Sequence, residues 1–183
     1  LNRVLYLNSK DYEVLKDLGN AYQVIGDIKK ARKYYQDSLS INNKYAAALT
    51  NLGIIETITG NDKKGLELLI QATINDSNHC NAWKNLSISY IRYKRLEEAK
   101  QAILKAIELE PNLYNLHYLL GTILIRQNKI KEAKAPLIQT IKLKPDFADA
   151  YSNLGNLLKD LGESNESEIF LRKAINLKPN CVI

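Results

Sequence analysis

Leu18, Leu52, Leu86, Leu120 and Leu154 are spaced a constant 34 residues apart, and a small residue follows each: Gly19, Gly53, Ser87, Gly121 and Gly155. The register continues downstream. Ala31, Gly65, Ala99, Ala133 and Ser167 share one place in it, and Tyr35, Leu69, Ile103, Leu137 and Leu171 share another. Asn43, Ser77, Pro111, Pro145 and Pro179 close the period. A catalytic loop needs to be made once, whereas a pattern written five times without insertion or deletion is architecture. The periods run 12–45, 46–79, 80–113, 114–147 and 148–181.

Inside each period the apolar residues recur at helical intervals. Tyr151, Leu154, Leu157, Leu158 and Leu161 mark a first helix, Gly162 interrupts, and Ile169, Phe170, Ala174 and Leu177 mark a second before Pro179. The spacing therefore predicts an all-α solenoid of antiparallel helix pairs. Small residues such as Gly155 and Ser167 let the two helices of a pair approach, and the larger ones fill the space between one pair and the next. One pair cannot bury its own apolar face, so stacking completes the core. "LNRVLYLNS" aligns with the end of a second helix, which makes 1–11 the tail of a preceding repeat. Residues 182–183 begin a further one, and no polar cap closes either end, so a longer array is expected.

The repeat resembles the tetratricopeptide repeat, most fully in the third period, where Trp83, Leu86, Tyr90, Ala99, Ile103, Ala106 and Pro111 carry the family's signature spacing. The resemblance covers 12–181 and implies a right-handed superhelix whose first helices line a concave face for an extended protein or peptide segment. Carried over position by position, that face includes Lys16, Asn20, Asn51, Ile54, Asn81, Lys84, Asn85 and Ile88. Arg92, Tyr118, Thr122, Arg126, Asn153 and Asn156 continue it. Asn51, Asn85 and Asn153 occupy one place in three repeats, and an amide there can both donate to and accept from a peptide backbone. The arrays of O-linked N-acetylglucosamine transferases use a comparable ladder, and this chain resembles them. The same amides could instead tie neighbouring helices together. Lys16, Asn20 and Asn51 also match three positions of the carboxylate clamp of chaperone-binding relatives. Asn81 and Asn85 stand where that clamp has cations, which weakens charge-assisted bonding to a carboxylate. Lys84, Arg92 and Arg126, with no acid among their neighbours on that face, favour acidic side chains.

The remaining features point away from other functions. A net charge of +6 is spread over many helix positions without Arg/Lys stripes, so no nucleic-acid partner is expected. No apolar stretch is long enough to cross a bilayer, and no signal peptide is visible, so a cytoplasmic location is expected. No metal-ligand spacing, nucleotide loop or catalytic constellation is present, so neither an enzyme nor a cofactor is expected. Cys80 and Cys181 are too far apart in a solenoid to pair. His117, in the place of Trp83 and Tyr151, reads as a packing residue. Glu56 takes the place of Tyr22 and Tyr90, which predicts a semi-buried carboxylate, and Pro136 should bend its helix. The alternatives are a scaffold associating end to end through Val182 and Ile183, or the substrate adaptor of a larger enzyme.

Overall fold

The computed structural model describes residues 11–178. Ten helices follow one another: α1 (Tyr12–Val24), α2 (Ile28–Ile41), α3 (Ala46–Ile58), α4 (Asp62–Asn75), α5 (Cys80–Arg92), α6 (Leu96–Leu109), α7 (Tyr114–Arg126), α8 (Ile130–Leu143), α9 (Ala148–Asp160) and α10 (Ser164–Leu177). Each 34-residue period thus contributes two helices, and no strand occurs among the described residues. The expectations placed on 1–10 and 179–183 lie outside the described residues.

The turn between the helices of each pair has one chemistry. The first helix ends in a residue of positive φ: Gly26 (83°), Gly60 (90°), Lys94 (58°), Asn128 (59°) and Gly162 (80°). The N–H of the next residue then reaches back five positions, as in Asp27 to the Tyr22 carbonyl (2.9 Å) and Asn61 to that of Glu56 (2.8 Å). This satisfies carbonyls that the helix end would otherwise leave unpaired. Asp11 and Asp27 cap α1 and α2, their carboxylates accepting from Glu13 and Lys30 N–H respectively.

Close approach within a pair has the cause that the spacing implied, with one addition. In four of the five pairs the large residue of the second helix rests directly on the glycine of its own first helix, and Ser87 takes the glycine's place in the third. A methyl group added at Gly155 would come within 2.7 Å of Leu171 Cγ, and one at Gly121 within 2.9 Å of the Leu137 side chain. Gly19 faces the Tyr35 ring in the same way. The large residues also reach the following repeat, as expected: Tyr35 packs with Leu52 and Ile55.

The described residues divide into two compact bodies, with the division between Tyr93 and Lys94. In the first, Ala31, Tyr35, Leu52 and Ile55 form one core cluster, and Ala46, Leu49, Ala72 and Ala82 another. In the second, Leu124, Ala133, Leu137, Leu154, Leu157 and Leu158 pack together. Pro136 is buried inside α8, which continues without a break from Ile130 to Leu143. A proline cannot donate to the carbonyl four residues back. On the other side its own carbonyl accepts from the Thr140 hydroxyl at 2.8 Å.

His117 is half-buried, and its Nε2 lies 2.7 Å from the Pro111 carbonyl. Two other repeats repeat the contact. Trp83 Nε1 donates to the Ser77 carbonyl (2.8 Å) and Tyr151 Oη to that of Pro145 (3.0 Å). At this place an aromatic with a polar tip ties the first helix to the turn six residues before it.

Candidate peptide-binding face

In the first body, α3, α4 and α5 pack on one another. Between them lies a cleft of about 180 Å³, lined by Ile54, Thr57, Ile58, Leu69, Asn85, Ile88, Ser89 and Arg92. Leu69 and Ser89 form its floor, at 1% and 2% exposure, while Ile58 (61%) and Ile88 (40%) stand at the rim. Of the residues assigned to the concave face from sequence, Ile54, Asn85, Ile88 and Arg92 meet here.

Beside this cleft the amides are knitted together. Asn51 Nδ2 donates to Asn20 Oδ1 at 2.7 Å. Tyr35, fully buried, directs its hydroxyl at Asn20 Oδ1 (2.8 Å) and Gln23 Oε1 (2.7 Å). Burial pushes this phenol up to about 12, against the opposing effect of its hydrogen bond with Asn51. Asn85 Nδ2 donates to both the carbonyl and the Oδ1 of Asn81, at 2.7 and 3.0 Å. In the second body Asn153 Nδ2 donates to Tyr118 Oη at 3.2 Å. The alternative that ladder amides tie helices together is therefore realised by Asn51 and Asn153, which bridge successive repeats. In all three ladder residues the nitrogen is engaged by the protein, and among the described residues no hydrogen bond falls on the carbonyl oxygens.

The charges depart further from the sequence reading. Arg92 Nε and an Nη meet the two Asp62 oxygens at 2.9 and 3.2 Å, so this guanidinium is neutralised by a bidentate pair. The face positions read from the sequence on the neighbouring first helices hold no acid, but Asp62 opens a second helix and reaches Arg92 from there. Lys16 pairs with Asp17 at 2.5 Å, which takes one cation away from the clamp-like trio. Its ammonium is held above the usual lysine range, burial opposing and Asp17 favouring the charged form. Lys84 and Arg126 make no ion pair among the described residues.

In the second body Tyr118 stands edge-on to Phe147 at 4.9 Å, and Tyr114 does likewise at 5.2 Å. Lys144 Nζ lies 4.6 Å from the Tyr114 ring centre. Thr122 turns its hydroxyl back to the Tyr118 carbonyl at 3.0 Å, while Asn156 and Arg126 are exposed. The cleft also takes in Leu69 and Ser89, and Asp62 pairs with Arg92, none of which the sequence reading assigned to this face. A signal existed for Ser89, since Ile55, Ile123 and Leu157 fill its place in other repeats.

Models of the tetratricopeptide repeat match residues 12–45, 80–113, 102–135 and 148–181, and a further TPR model matches 121–162. The comparison with curated proteins gives no match. Among solved structures, a MamA crystal structure superposes with a TM-score of 0.80 at 22% identity, covering 88% of this chain and 94% of that one. YrrB, described as a TPR protein with an unusual peptide-binding site, gives 0.79 at 18% identity, with 98% and 93% covered. PilF of Pseudomonas aeruginosa gives 0.83 at 21%, with 90% and 75% covered. At these identities the likeness is one of fold.

Proposed function

Because the chain belongs to the tetratricopeptide-repeat family, we propose that it is a protein-interaction module, without catalysis of its own, that holds an extended peptide against its first helices. The observation that carries this reading is the cleft of the first body, where exposed apolar rims and uncommitted amide oxygens adjoin. Apolar surface supplies affinity, roughly 25 cal/mol per Å² removed from water. The Asn51 and Asn85 oxygens, their nitrogens already engaged, accept peptide N–H groups, so the backbone is held as an acceptor-lined strip holds it. Among the described residues no helix is long and apolar enough to cross a membrane.

Preference for acidic peptides rests on Lys84 and Arg126, since Asp62 occupies Arg92. Exposed pairs contribute only ~0–1 kcal/mol each and are screened by salt. Apolar contact therefore dominates, and salt weakens binding only modestly. The test is selection from a library of extended peptides, followed by methyl and side-chain amide NMR of the complex. Shifts are expected at Ile54, Ile58 and Ile88 methyls and at the Asn51 and Asn85 amides. Shifts confined to the second helices α2 and α4 would refute the reading. Equal affinity for acidic peptides in Arg126→Glu and the parent would remove that residue from the charge preference.

A further inference from the structure

Ser89 is out of place. One repeat earlier the same position holds Ile55, and in the two later repeats it holds Ile123 and Leu157, all three buried, while the first repeat has an exposed Ala21 there. Ile55 packs with Tyr35 in one core cluster, and Leu157 with Leu137 in another. Tyr35 and Leu137 are the counterparts of Leu69. At Ser89 the apolar branch that packs on the counterparts of Leu69 elsewhere is missing, and Ser89 and Leu69 both line the cleft of about 180 Å³. The hydroxyl that remains is buried and has no hydrogen-bond partner.

An unsatisfied buried hydroxyl is costly, and so is unfilled apolar space, so a position that carries both is suited to being completed from outside. The cleft is smaller than the roughly 300–1,000 Å³ of sites that take whole small molecules, so it is of side-chain size. Its walls are Ile54, Ile58 and Ile88, Leu69 and Ser89 form its floor, and the buried Ser89 Oγ is the polar atom there without a partner. An aliphatic side chain would fill the walls and leave the hydroxyl unpaired. A short polar side chain would do the reverse. Tyrosine has the matching form, an apolar ring with a hydroxyl at its far end. We propose that this cleft is a specificity pocket for a tyrosine side chain of the bound peptide, with Ser89 hydrogen-bonded to the phenol. The proposal rests on the peptide-binding reading above and narrows it to one residue of the partner.

The test uses the whole chain with two probes that differ only by the hydroxyl, p-cresol and toluene, followed by isoleucine and leucine methyl NMR. Ser89→Ala removes the hydroxyl and keeps the cleft, and Ser89→Ile fills it as Ile55 and Ile123 fill theirs. In the parent protein p-cresol should shift the Ile54, Ile58, Ile88 and Leu69 methyls. The p-cresol-to-toluene affinity ratio should fall about 2- to 10-fold in Ser89→Ala, the value of one hydrogen bond. Ser89→Ile should abolish both titrations and raise Tm. A ratio unchanged in Ser89→Ala, or no methyl shift with either probe, overturns the proposal and leaves a cleft that holds water. In the peptide selection, tyrosine should be enriched on the parent and lost on Ser89→Ile. Peptides enriched without tyrosine would overturn the pocket and leave the groove standing. A Ser89-dependent p-cresol preference with no peptide enriched would instead refute peptide binding and leave the phenol pocket.

Discussion

At Glu56 a carboxylate stands where Tyr22 and Tyr90 stand in the repeats on either side, and its side chain is 2% exposed. Burial raises its pKa, but the Asn61 amide at 2.7 Å, the Lys64 ammonium at 3.0 Å and the Arg32 guanidinium at 3.2 Å outweigh that and hold it below the ordinary glutamate value. A group whose folded pKa is depressed adds stability above its unfolded pKa, and that stability is lost as pH falls through the folded pKa. Glu56→Gln should therefore cost about 1–3 kcal/mol at neutral pH, and the gap to the parent should close as the carboxylate protonates. Urea unfolding of both proteins at neutral and acidic pH checks this, and a pH-independent gap would show that packing dominates. The departure at Glu56 was legible in the sequence, though as a semi-buried group. Its compensation was not, because Arg32, Asn61 and Lys64 converge from two second helices and a turn. The ladder amides show the same limit: their shared place in three repeats followed from spacing, whereas which of their atoms stay available depends on neighbours such as Asn20, Asn81 and Tyr118.

Two element-scale rules make the helix pair, and each can be broken singly. Gly19 faces the Tyr35 ring across its own pair. Gly19→Ala gains up to ~1 kcal/mol of helix propensity, yet a methyl there meets a buried ring held by Asn20 and Gln23, and overpacking costs about 1–3 kcal/mol. The expected result is a net loss of stability, read as a lower urea midpoint. The second rule is the left-handed residue that ends each first helix. Lys94 and Asn128 adopt it without being glycine, and for lysine this conformation costs roughly 1–2 kcal/mol. Lys94→Gly should therefore raise the thermal midpoint, while Gly26→Ala lowers it. Equal midpoints for Lys94→Gly and the parent would show that the turn carries no such strain. This part of the fold was readable from the recurrence of Gly26, Gly60 and Gly162. The route of Asp62 to Arg92 was not, since it joins the start of a second helix to the end of the next first helix.

Along the described residues the burial is uneven. Helix α9 buries Ala148, Ala150, Tyr151, Leu154, Gly155, Leu157 and Leu158, whereas α10 buries Ser167 alone and exposes Ile169 and Ile175. Stability in a stack of repeats is local, with each element supported by its immediate neighbours. Amide exchange should therefore be faster through α10 than through α9, an order set by sub-global opening. Identical protection in the two helices would mean that they open only together.

The tie between Trp83 and the Ser77 carbonyl gives the protein an optical handle. The sequence contains a single tryptophan, and its indole is anchored to the turn that leads into α5, the helix carrying Asn85, Ile88 and Ser89. Emission excited at the indole band therefore originates from one place on the chain. A change in that emission at constant circular dichroism would report an event at the entrance to α5 in the unlabelled protein, seated ligand or local opening alike, without a reporter having to be attached.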